Sequence, residues 1–219
     1  NGPRRARDLA TERVTPEEEL VEEGEDVVGR RVDVHADLVD DDRLLGGQVA
    51  AAQDRVQREL PNLREALDFS ISEGDQAGLD FVADLHQFWF LRGPFNEARR
   101  WLDRALAAAP NEPTTARARA IYAACMIAST QGDIPAATAL VAQGRALVQR
   151  TADPIAHAAV AIGDGFTALA TGHVDHACAC LQDAIDEHIG PTMRGGSLVI
   201  LGWAQELRGE AVTAMASYE

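Results

Sequence analysis

Four residues in one short stretch have the types that hold a soft metal ion: His173, His176, Cys178 and Cys180. On a helix, His176 and Cys180 fall on one face at i, i+4, while Cys178 points away at i+2. That leaves two ligands where a structural zinc needs four. With no Cys-x-x-Cys pair elsewhere, the cysteines read as small core hydrophobes and no metal is expected. His86 falls on the packed side of its helix and reads as a core histidine. Carboxylates are abundant, 35 Asp and Glu in all, but no spacing selects one pair for acid–base work.

The remaining chemistry is sparse. There is no Walker A loop, no Gly-x-Ser-x-Gly elbow and no His-Glu-x-x-His motif. All 20 basic side chains are arginine, which removes any phosphate-binding, Schiff-base or general-base lysine. These absences argue against an enzyme, and no cofactor is implied. A net charge of −15 argues against gripping nucleic acid or an anionic membrane surface, since both reward positive charge. The 3 cysteines are odd in number and suggest no disulfide framework, so a reducing cytoplasm is expected. No run of about 18 apolar residues and no signal peptide opens a route to the membrane.

The elements that must position any site are helical. Aromatics make up 5% of the chain, and Ala, Leu, Arg and Glu, all strong helix formers, dominate. Residues 1–43 stand apart as an acidic lead-in or linker, with clusters such as Glu17-Glu18-Glu19 and Asp40-Asp41-Asp42. Residues 44–219 carry the helical period. A helix from about Gln48 is expected to end at Pro61, and a second to run from Asn62 to about Glu73 before Gly74.

Gly93, Gly132, Gly172 and Gly209 then each separate two apolar stretches, at spacings of 39, 40 and 37 residues. Such a period is the mark of a helical repeat array. Five residues after each glycine stands Ala98, Ala137, Ala177 or Ala214, and nine after stands Leu102, Val141, Leu181 or Tyr218. Twelve after come Ala105, Gly144 and Ala184; seven before come His86, Cys125, Gly165 and Gly202. Small residues at fixed offsets let antiparallel helices approach closely.

These offsets resemble the tetratricopeptide repeat, with Leu201-Gly202-Trp203 before Gly209 as its nearest copy and Trp89 and Pro110 in its Tyr and Pro places. The resemblance implies an all-α superhelix of antiparallel helix pairs, although the period exceeds the family's and Asp164 stands where a Leu is usual. The chain stops at Glu219 within a second helix, so the array is expected to be a fragment of a longer protein. In this family the first helix of each pair lines a concave groove. Here that face would present Gln87, Phe90, Arg119, Tyr122, Met126, Phe166 and Trp203 as the binding residues.

A narrower likeness lies in Glu59-Leu60-Pro61-Asn62-Leu63-Arg64-Glu65-Ala66-Leu67, followed by Gly74-Asp75, Phe88-Trp89-Phe90-Leu91-Arg92-Gly93 and Glu97-Ala98-Arg99-Arg100-Trp101-Leu102. These runs resemble the repeat region of bacterial NB-ARC-like (STAND) signalling ATPases, many of them LuxR-type transcriptional regulators. That resemblance implies an interaction or sensor module binding a protein, a peptide or another domain of its parent chain. A homodimer scaffold and a small-molecule sensor are the alternatives.

Overall fold

The computed structural model describes residues 47–218 apart from 75 and 188. The lead-in at residues 1–43 lies outside them. The helices are α1 (Gly47–Ser72), α2 (Gln76–Asp84), α3 (His86–Arg92), α4 (Phe95–Ala108), α5 (Thr115–Thr130), α6 (Ile134–Val148), α7 (Pro154–Ala170), α8 (Val174–Asp186), α9 (Pro191–Leu207) and α10 (Ala211–Tyr218). No strand occurs among the described residues. Each unit is an antiparallel pair: α2 and α3 with α4, α5 with α6, α7 with α8, α9 with α10. The first helix of the first unit is broken at Leu85. α5 packs against α2 on one side and α7 on the other, so first helices stack on first helices.

The turn glycines do what their spacing promised. Gly93, Gly132, Gly172 and Gly209 have φ of 87, 73, 80 and 80°, the left-handed region that a Cβ disfavours. In three units the next residue closes the helix end: Asp133, His173 and Glu210 donate their N–H to the carbonyls of Ala128, Ala168 and Gln205 at 2.9, 2.8 and 2.9 Å. The following helices are capped where the sequence allows. Asp133 accepts from the Ala136 N–H, and Thr114 and Asp153 do the same at the starts of α5 and α7.

Close approach within each pair, and between one pair and the next, rests on the small residues. Ala98, Ala137 and Ala177 are 0% exposed and Ala214 is 1% exposed, with Leu102, Val141 and Leu181 buried beside the first three. A Cβ added at Gly165 would lie 3.0 Å from Leu181 Cγ, and one at Gly144 3.0 Å from Val160 Cγ1. The side chain of Tyr218 lies outside the described ones.

Pro61 does not end a helix. α1 runs unbroken from Gly47 to Ser72 with Pro61 inside it. Val56, Leu63, Leu67 and Ile71 stay in helical phase across the proline and are all buried against α2 and α4. Pro61 itself is exposed, so the carbonyl it leaves unpaired can face water. Burying that continuous apolar face, at about 1.5–3 kcal/mol for each large side chain, outweighs a proline penalty of about 3 kcal/mol.

Glycines on and off the turns should respond oppositely to alanine. Gly132→Ala meets no atom within 4 Å, so it isolates the backbone conformation, and should lower unfolding stability by about 1–2 kcal/mol. Gly196→Ala, also in open space but inside α9, should raise it by about 0.5–1 kcal/mol. Urea denaturation followed by circular dichroism measures both; equal signs would contradict the assignment.

Candidate functional site

The first helices bring most of the expected groove residues onto one surface. Phe90 of α3 meets Phe166 of α7 edge to face, ring centres 6.1 Å apart, across the intervening α5. Tyr122 of α5 lies between them in sequence and takes the His86 ring against its own at 5.1 Å. Met126 is only 5% exposed and supports this surface from within the core. Phe90, Tyr122 and Phe166 are half-buried.

Arg119 is committed to its neighbours. Its guanidinium pairs with Asp84, whose side chain is 5% exposed, and reaches Asp80 at 3.5 Å. It therefore joins α5 to α2 and holds the first two units together. Gln87 is exposed on α3.

The fourth unit is different. Val199 and Trp203 of α9 are 41% and 42% exposed; at the equivalent positions Ala83, Ile162 and Met126 are buried, Tyr122 and Phe166 half-buried and Gln87 exposed. Leu207 beside them is 69% exposed. The inner face is thus filled in its middle and open at its α9 end, with Trp203 as its most accessible aromatic ring.

A second cluster was only partly visible in the sequence. His176 and Cys180 do share a face of α8, and α7 adds Asp164, which is 8% exposed. His176 Nε2 lies 3.1 Å from Asp164 Oδ1 and 3.5 Å from Cys180 Sγ. Arg145 of α6 grips the other oxygen, Oδ2, from Nε at 2.7 Å and Nη2 at 2.6 Å, and its Nη2 is 3.2 Å from His176 Nε2. The signal was Asp164 itself, an acid at a position of the repeat filled elsewhere by Leu85, Ala124 and Leu201.

The other two residues of that run go elsewhere. His173 Nδ1 pairs with the Thr171 hydroxyl at 2.9 Å, and Cys178 is buried in the core. Cys125 is buried as well, and burial pushes its thiol up to about 12.

This cluster is not a nucleophilic triad. Such a triad places the carboxylate on one imidazole nitrogen and the thiol on the other. Here the sulfur is nearer the nitrogen that already faces Asp164, at 3.5 Å against 3.8 Å for Nδ1. Burial, aided by the Asp164 charge, raises the Cys180 thiol to about 11, the reverse of what an activated cysteine needs.

His86 predicts a pH dependence. Its Nδ1 donates to the Ala83 carbonyl at 2.7 Å, and burial, with Arg119 nearby, lowers its pKa from 6.5 to about 4. The unfolded chain takes up a proton in that interval while the folded one does not. Stability therefore falls as pH drops from 6.5 to about 4, by up to about 1.4 kcal/mol per pH unit, and this group contributes no slope above it. The variant His86→Gln should lose less stability over that interval than wild type in urea titrations at each pH. Equal losses would contradict the burial of a neutral imidazole.

No family model matches the chain, and no curated protein sequence matches it. Among solved structures it is similar to BtubC (BKLC) from P. vanneervenii, with a TM-score of 0.54 and 17% identity, covering 93% of this chain and 89% of that one. A protein of nearly identical TPR-like repeats from Podosopora anserina aligns with a TM-score of 0.49 and 16% identity, over 91% of each chain. No described helix is long and apolar enough to cross a membrane. An all-α, tetratricopeptide-like solenoid is the fold of this chain.

Proposed function

We propose that this chain is the interaction or sensor module of a multidomain bacterial signalling ATPase or transcriptional regulator of the NB-ARC-like type, and not an enzyme. Its concave face takes a peptide or a partner domain, in the first place another domain of the same parent chain. The observation that carries this is the open α9 end of the inner face, where Trp203 and Val199 stand 42% and 41% exposed. Exposed tryptophan on a rigid helix is the kind of residue that dominates interface energetics. The motif runs through Leu60-Pro61-Asn62-Leu63-Arg64 and Gly74-Asp75 support the parent class. A net charge of −15 favours a partner segment of positive charge.

Regulation then follows from differential contact. If the groove binds its partner domain in one state of the attached ATPase and not the other, it biases that equilibrium by the difference in binding free energy. A competing cytoplasmic ligand in the same groove would release the contact.

Light scattering of this chain, alone and with the remaining domains of its parent, tests the reading. A monomer that forms a one-to-one complex is expected. Trp203→Ala should weaken that complex by roughly 30-fold, a loss of about 2 kcal/mol. Phe69→Ala, exposed on α1 away from the inner face, should leave it unchanged. A stable homodimer indifferent to those domains would overturn the proposal and favour a scaffold.

A further inference from the structure

The Asp164, His176 and Cys180 cluster has a geometry that the repeat fold does not require. At the same three positions, the first unit carries Leu85, Glu97 and Trp101, the second Ala124, Ala136 and Leu140, and the fourth Leu201, Thr213 and Ser217. Only the third unit has a metal-binding side chain at all three. We propose that Asp164 Oδ1, His176 Nε2 and Cys180 Sγ form a zinc-binding site with one open coordination position.

The distances support this. Zinc bonds of about 2.0 Å to nitrogen or oxygen and about 2.3 Å to sulfur, in a tetrahedron, place N and O about 3.3 Å apart and N and S about 3.5 Å apart. The observed separations are 3.1 Å for Nε2 to Oδ1 and 3.5 Å for Nε2 to Sγ, and all three ligand atoms lie within 4.8 Å of one another. Preorganisation of this kind is what a rigid pair of helices provides.

The hydrogen-bond pattern points the same way. Nε2 faces a carboxylate oxygen and a sulfur, and Arg145 approaches it as well. One proton on that nitrogen satisfies one of the two acceptors. A cation satisfies both and uses the nitrogen lone pair. Arg145 holds Oδ2 and leaves Oδ1 to the metal, as the partners of ligating carboxylates commonly do. Its contact with Nε2 has to open, and its side chain, 55% exposed, has room to move.

Charge and protons balance. The Cys180 thiol gives up its proton to solvent on binding, so Zn²⁺ is neutralised by one thiolate and the Asp164 carboxylate, with neutral His176 as third ligand. Thiolate with imidazole selects a borderline-soft ion over magnesium or calcium. The fourth position faces solvent on the His176 side, whose side chain is 48% exposed, and takes water or an exogenous ligand.

The test is titration of the full, reduced chain with Co²⁺ as a spectroscopic stand-in for zinc. One equivalent should produce a thiolate-to-cobalt charge-transfer band and intense tetrahedral d–d bands, both abolished by adding Zn²⁺. Cys180→Ala should eliminate the charge-transfer band, His176→Gln should weaken binding at least tenfold, and Cys178→Ala should change neither. Circular dichroism checks that each variant stays helical; His176→Gln, at an exposed position, serves if Cys180→Ala does not fold. A chain that shows only weak octahedral cobalt spectra overturns the proposal. So does a charge-transfer band that survives Cys180→Ala, or binding undiminished in His176→Gln.

Discussion

Everything in this molecule depends on how closely its helices can approach. A solenoid has no central core, and each pair buries its apolar face only against its neighbours. The buried alanines five residues after each turn, and Gly144 and Gly165 where a methyl would press on Val160 and Leu181, remove the side-chain thickness that would keep the helices apart. The bulkier Leu102, Val141 and Leu181 then fill the space between them. Left-handed glycines complete the constraint by reversing the chain in a few residues without strain.

The same closeness decides which residues remain available for function. Stacking of α5 between α2 and α7 draws Phe90 and Phe166 into contact over it, and it covers Met126. A face that would otherwise be a row of aromatic side chains becomes a packed floor. Polar groups in that region are turned to structural use, as in the Arg119 ion pairs with Asp84 and Asp80. Gln87 on α3 and Val199 and Trp203 on α9 remain exposed.

Much of this was legible in the residues. Turn glycines, the alanine register and the inner side of each first helix follow from spacing alone, because helical periodicity fixes which residues share a face. Depth does not follow from it. Nothing local distinguishes Met126 from Trp203 at equivalent positions; only the neighbouring helix makes one core and the other surface. Pro61 was misleading for a related reason, since a local breaking tendency is overruled by an apolar face that continues on both sides of it. Asp164 was readable as a departure from the repeat, but its partners His176 and Cys180 lie on the next helix, and Arg145 on the previous one. Departures from a repeat pattern are where side chains answer to something besides stacking.

The account stands on the stacking that lets side chains of first helices two units apart touch. A double-mutant cycle on Phe90→Ala and Phe166→Ala, read by urea denaturation, measures that contact directly. An edge-to-face pair at 6.1 Å predicts a coupling energy of about 0.5–1.5 kcal/mol. Strict additivity of the two substitutions would mean that the rings do not meet, and would contradict the closed inner face on which the placement of the open α9 end depends.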